Sequence, residues 1–226
     1  MGRSDWDIDG IVKAYFGECS KMPFADRAEE WWYWQRFLDM LCVTAMFLKE
    51  QGREASLQRV GGMLNDEELM KALEPHEETV FEGKERFRQV FEFLLSKEKD
   101  GPFAGFLIGN GLSYGEMMAF IMAAAVDLNR KYERVFGVLQ EENVTTAKPT
   151  LGLALDLCAL FLEEGSYESQ LWNEDSFFYR FLLEPKAEAP NMSRLSRPLS
   201  LNRRVVQSLA GEPMQTGGMS KYVRVL

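Results

Sequence analysis

Between Asp26 and Gln51, apolar residues recur at three- and four-residue steps: Trp31, Trp34, Phe37, Leu38, Leu41, Ala45 and Leu48. That spacing lines them along one side of an α-helix, and Gly52 is placed to stop it. A face with so much aromatic bulk has to be buried, so the chain is committed to a helical core. Trp31, Trp32, Tyr33 and Trp34 nevertheless surround the first turns of this helix. One side packs inward; the others need another part of the domain or a second subunit, which makes all four candidate partner contacts.

The rest of the first hundred residues has a similar texture. Asn65-Asp66-Glu67-Glu68 carries N-cap acceptors followed by acids suited to the positive end of a helix dipole, and predicts a short helix to Leu73. Pro75 then opens a longer helix in which Val80, Phe81, Phe87, Val90, Phe91 and Leu94 form the apolar stripe, before Ser96 to Gly101 breaks it. Residues 1–100 are therefore expected to form an N-terminal helical bundle.

A second region is expected over residues 101–212. Phe103 to Ile108 is a short apolar stretch, followed by a turn at Gly109-Asn110-Gly111. Ser113 and Glu116 have the spacing of a capping box for a Met- and Ala-rich helix from Tyr114 to about Leu128. Further helices follow over Arg130 to Gln140 and Thr150 to about Leu162, the latter started by Pro149. Phe177 to Leu183 and Leu195 to Leu201 are dense in strand-forming residues, and the loop between them holds Pro185, Pro190 and Ser193. Asn202 is placed to cap a last helix through about Ala210, closed by Gly211 and Pro213. Three helices followed by a β-hairpin is a winged-helix layout. The expected fold is mainly α with a small β-hairpin, ending in a tail or linker over residues 213–226.

Composition bounds the function. With 46% hydrophobic and 27% charged residues this is globular material. The three cysteines, Cys19, Cys42 and Cys158, lie far apart and form no CxxC pair, which fits a reducing cytoplasm. Met1 to Gly10 lacks the apolar core of a secretory signal, and the longest apolar runs, Phe37 to Leu48 and Met117 to Val126, fall short of the roughly 20 residues a membrane span needs. The net charge of −9 disfavours broad phosphate binding. It is uneven, however: from Asn191 onward Arg194, Arg197, Arg203, Arg204, Lys221 and Arg224 face only Glu212, a surplus of +5 that leaves −14 for the rest. Arg194, Arg197, Arg203 and Arg204 are accordingly the second group of candidate partner contacts, with nucleic acid an expected non-partner.

Catalytic machinery is not visible. Asp5-Trp6-Asp7-Ile8-Asp9-Gly10 imitates the start of a calcium-binding loop, but its twelfth position is Phe16 where a bidentate Glu is required. Gly83-Lys84 is followed by Glu85 rather than Ser or Thr, so it is no phosphate-binding loop, and Gly109-Asn110-Gly111 with Gly115 misses the dinucleotide spacing by one residue. His76, the sole histidine, follows Pro75 beside two glutamates at the expected start of a helix. Neither a metal, a cofactor nor a catalytic residue is expected in this chain.

Two segments resemble a known family. Leu112-Ser113 and the helix to Asp127, Arg130 to Phe136 with Leu139 to Glu142, and Pro149 to Leu157 are similar to the region preceding the motor in bacterial and archaeal AAA+ ATPases often encoded beside contractile injection systems. Leu195 to Asn202, continuing to Leu209 and Gly211, is similar to the strand and helix just ahead of the catalytic domain of that family. The resemblance implies a helical N-terminal part and a winged-helix-like domain that recognise a protein substrate or assembly partner. It also implies a hexamer in the parent protein, and places ATP and magnesium in a Walker-bearing domain outside these residues.

In DNA-binding winged helices a recognition helix enters the major groove with basic and amide side chains. The third helix expected here, Thr150 to Leu162, offers Asp156 and no Lys or Arg. A protein-contact role follows, with a nucleic-acid-binding regulator as the alternative.

Overall fold

The computed structural model describes residues 24, 26–49, 79–97, 101–140, 148–163, 165, 167, 171, 173–183 and 193–209. The calcium-loop imitation at Asp5 to Gly10, the helix expected over Asn65 to Leu73, His76, the loop holding Pro185 and Pro190, and the tail over residues 213–226 lie outside them.

The first helix, α1, spans Arg27–Lys49 and starts where Asp26 accepts the Glu29 amide at 2.9 Å. Trp34, Phe37, Leu38 and Leu41 are fully buried along it, as their spacing predicts. Against this face lies α2, Thr79–Ser96, whose Phe91 ring sits 5.8 Å from Trp34 and 5.5 Å from Phe37.

What was expected only as an apolar stretch after Gly101 is a helix, α3, over Pro102–Gly109. Pro102 at its first turn lacks the N–H that a helix start leaves unsatisfied. The next two amides are capped from another helix: Phe103 and Ala104 donate to the two carboxylate oxygens of Glu30, on α1, at 2.8 and 2.7 Å. The approach leaves no room for a side chain at Gly101, where a Cβ would lie 2.6 Å from Glu30 Cδ. Burial raises the Glu30 carboxyl above its ordinary value of 4.5, against the pull of these two amides.

Helix α4, Tyr114–Leu128, is the centre of the molecule, buried on every side from Gly115 to Val126. Its capping box forms as the sequence predicts: Ser113 Oγ accepts the Glu116 amide at 3.3 Å, and the Ser113 amide donates to Glu116 Oε2 at 2.9 Å. Helices α5, Lys131–Leu139, and α6, Leu151–Ala159, follow, with Thr150 Oγ1 capping α6. The last helix, α7, Arg203–Leu209, begins where Asn202 Oδ1 accepts the Arg204 amide at 3.0 Å. A single core runs from Tyr33 on α1 to Val205 on α7, so the helices on either side of residue 100 share it. Among the described residues, no helix is long and apolar enough to cross a membrane.

The expected β-hairpin does not form as two strands. Phe178–Leu182 is a π-helical turn, and Arg194–Ser196 is a short 3-10 turn. The reason lies in a period the aromatic density obscured. Phe178 and Leu182, four apart, are both fully buried, and Phe177 and Phe181, also four apart, stack at 5.2 Å. Strand pairing among the described residues is limited to two isolated antiparallel bridges, Thr150 to Pro198 and Leu183 to Leu201. Flanking them, the Leu151 amide donates to the Arg197 carbonyl at 3.0 Å, Leu199 to Pro149 at 2.7 Å, and Asn202 to Leu182 at 2.7 Å. Residues 197–202 are thus the middle segment, with 149–151 on one side and 182–183 on the other.

Candidate functional site

That order of elements changes which helix faces outward as the second of a helix-turn-helix. Between α6 and the Leu183 bridge stands the Phe178–Leu182 turn, so α6 is the first helix of the pair and not the last before the wing. Asp156, on α6, therefore lies on the first helix of the pair, not on the one that would enter a groove.

The turn ahead of Phe178–Leu182 is built by turn-forming residues. Asn173 Oδ1 accepts the Asp175 amide at 3.1 Å, and the Arg180 amide donates to the Ser176 carbonyl at 3.1 Å. Asn173, Glu174 and Asp175 are all exposed there. Two arginines from the 3-10 turn and the residue after it converge on them. Arg194 Nη2 and Arg197 Nη1 both reach Glu174 Oε1, at 2.8 and 3.1 Å. Beneath this cluster the Tyr179 hydroxyl donates to the Leu171 carbonyl at 2.6 Å, and burial pushes it up to about 12 against the opposing pull of Arg197. Gly152 lets the 3-10 turn sit close on α6, because a Cβ there would lie 3.1 Å from the Leu195 carbonyl oxygen. Leu195 itself is exposed between the two arginines.

The four candidate arginines stand on two elements: Arg194 and Arg197 meet at Glu174. Arg203 and Arg204 are exposed at the start of α7, beyond the Leu183 to Leu201 bridge.

The aromatic candidates divide as well. Tyr33 and Trp34 are core, packed where no partner reaches them. Trp32 is 48% exposed, with the Arg36 guanidinium 5.4 Å above its ring. Trp31 is partly buried and stacks edge-on to Phe103 at 5.2 Å. It also lines an open groove of about 520 Å³ with Glu30, Pro102, Phe103, Leu128 and Leu209.

A family model described as a winged helix domain, variant, matches residues 110–223, half of the chain. The chain belongs to this winged helix family. No curated protein and no solved structure matches it. The match begins at the turn before α4, so α4 to α7 and the two bridges are the winged helix, and α1 to α3 pack onto it from the N-terminal side.

Two features, one on the winged helix and one on α1, are not legible in the sequence as it stands. Glu174 and Asp175 stand between Asn173 and Ser176, whose turn- and cap-forming side chains are the local signal of the helical turn that follows. Glu30 left no signal, since its partners lie more than seventy positions away.

Proposed function

We propose that this chain is a non-catalytic recognition and regulatory region that works through protein contacts in the service of an AAA+ ATPase. One observation carries the protein-contact part. In a helix-turn-helix the N-terminal residues of the second helix meet the base edges; here the turn just ahead of Phe178–Leu182 carries exposed Glu174 and Asp175, and Arg194 and Arg197 are engaged by Glu174. Carboxylates at that position repel phosphate. Among the exposed large side chains are Trp32, beside Arg36, and Leu195 between two arginines. Trp and Arg are enriched among the residues that anchor protein interfaces.

The link to an AAA+ ATPase rests on the ordered motifs from Leu112 to Gly211. On this reading the partner is a protein substrate or assembly component, a homo-oligomer forms through the motor, and ATP and magnesium are bound by the motor alone. Reading the gene past codon 226 tests it: a Walker A motif is expected in frame within about one domain length. A stop codon directly after Leu226 overturns the attachment.

The second reading, a nucleic-acid-binding regulator, is favoured by the winged helix family itself and by exposed Arg203 and Arg204. Duplex DNA titrated at low salt separates the two, since phosphate binding produces an affinity that falls steeply as salt is raised. No binding at low salt retires the second reading.

A further inference from the structure

We infer that the groove between the start of α1 and the end of α7 is a binding site for an apolar zwitterion, a molecule with an ammonium and a carboxylate on an apolar body, such as a free apolar amino acid or a short apolar peptide. The groove, about 520 Å³, falls in the size range of small-molecule sites and lies, as such sites commonly do, where two parts of a fold meet. The N-terminal helices α1 and α3 supply Trp31, Pro102 and Phe103; the winged helix supplies Leu128 from α4 and Leu209 from α7. These five side chains give it apolar walls, with the Trp31 and Phe103 rings meeting edge-on at 5.2 Å.

Three charged residues line the same groove, and the bonding capacity each has left selects the ligand. Glu30 has little: it is buried and accepts the Phe103 and Ala104 amides, one on each carboxylate oxygen. Asp26 is exposed and uses Oδ1 to accept the Glu29 amide at 2.9 Å, which leaves Oδ2 without a partner among the described residues. Arg27, also exposed, donates one long bond from Nη1 to the Ser208 carbonyl, at 3.3 Å. A guanidinium has five N–H donors, so most of its capacity remains. The groove thus offers an unspent anion and an unspent cation on consecutive residues, next to apolar walls. A singly charged ligand meets one of them as a like charge; an ammonium and a carboxylate on one apolar body match both.

Both charges can be neutralised while the fold is kept. Asp26→Asn retains an N-cap acceptor, and Arg27→Gln retains a good helix former at an exposed position. The probes, titrated calorimetrically into the chain, are leucine, leucyl-leucine, the N-acetylated dipeptide without the ammonium, and the dipeptide amide without the carboxylate. The tighter of leucine and leucyl-leucine identifies an amino-acid or a peptide source, with a Kd expected on the order of 0.1–1 mM for the dipeptide. Each blocked dipeptide should bind about three- to tenfold more weakly. Asp26→Asn should remove the penalty for acetylation alone, and Arg27→Gln the penalty for amidation alone. The inference is overturned if neither leucine nor leucyl-leucine binds at about 10 mM, if the blocked forms bind as well as the free dipeptide, or if both penalties survive in the variants. None of these outcomes bears on the protein-contact reading, which uses neither Asp26 nor Arg27.

Discussion

The Tyr132 hydroxyl donates a 2.7 Å hydrogen bond to Asp39 Oδ1, tying α5 to α1 across 93 positions of sequence. The other carboxylate oxygen, Asp39 Oδ2, takes a 2.6 Å ion pair from Lys131. The same Tyr132 oxygen also lies 3.1 Å from the Gln35 carbonyl. Burial, with the Asp39 charge second, holds the Tyr132 hydroxyl and the neighbouring Cys42 thiol well above their ordinary values. Asp39 is therefore a buried anion whose two oxygens are both satisfied, and it joins the N-terminal helix to the winged helix.

Removing that anion leaves Lys131 and Tyr132 facing an empty site. Asp39→Ala should destabilise the fold by about 3 kcal/mol, read as a lower urea midpoint at unchanged slope. Asp39→Asn, which still accepts from Tyr132, should cost less. Equal losses for the two variants would show that the Lys131 pair, and not the Tyr132 hydrogen bond, carries the joint.

Glu30 predicts a pH dependence of definite sign. Its folded-state carboxyl is raised above 4.5, chiefly by desolvation, so its contribution to stability is present below that value and is lost as pH rises through the raised one. Measured against Glu30→Gln, the parent chain should do progressively worse as pH climbs from below 4.5 to neutrality. A difference that is flat with pH, or that moves in the parent's favour as pH rises, would contradict this.

Gly101 should tolerate no side chain while Glu30 stands opposite. Gly101→Ala forces the carboxylate off the Phe103 and Ala104 amides, an overpacking loss of about 1–3 kcal/mol. Coupling to Glu30→Ala in a double-mutant cycle should recover part of that loss, because the two changes relieve the same contact. Strict additivity would place the cost elsewhere.

The aromatic quartet separates by stability. Trp34→Ala should cost about 3–5 kcal/mol, as expected for a fully buried indole. Trp32→Ala should cost under about 1 kcal/mol, since half of its surface already faces solvent. Chemical denaturation of the two variants compares them directly, and a Trp32 loss as large as the Trp34 loss would remove it as a contact residue.

Thiol labelling reports on the same core. Burial raises Cys158, as it does Cys42, so neither supplies thiolate to react. Iodoacetamide applied to the folded chain, followed by peptide mapping, should leave both unmodified until denaturant is added. Native labelling at either position would mean that the helices around it open readily.

Local chemistry was enough for most of the helices. The stripe from Trp31 to Leu41, the Ser113 and Glu116 capping box, Thr150 ahead of α6 and Asn202 ahead of α7 each depend on residues within a turn or two, and each stands as the sequence predicts. Phe177 to Leu183 did not, because consecutive aromatics satisfy strand and helix propensity alike; burial of Phe178 and Leu182 against the core decided for a helical turn. The site depended on that decision. Once the turn forms, Glu174 stands just ahead of it and within reach of Arg194 and Arg197, twenty and twenty-three positions away. Sequence alone determined that this chain builds a helical core with a basic stretch near its end, because helical period and charge are local properties. Only the tertiary structure decided that Arg194 and Arg197 of that stretch are held by an acid, and that Glu30 caps a helix it does not belong to. Both contacts are set by which distant segments the buried apolar faces bring together.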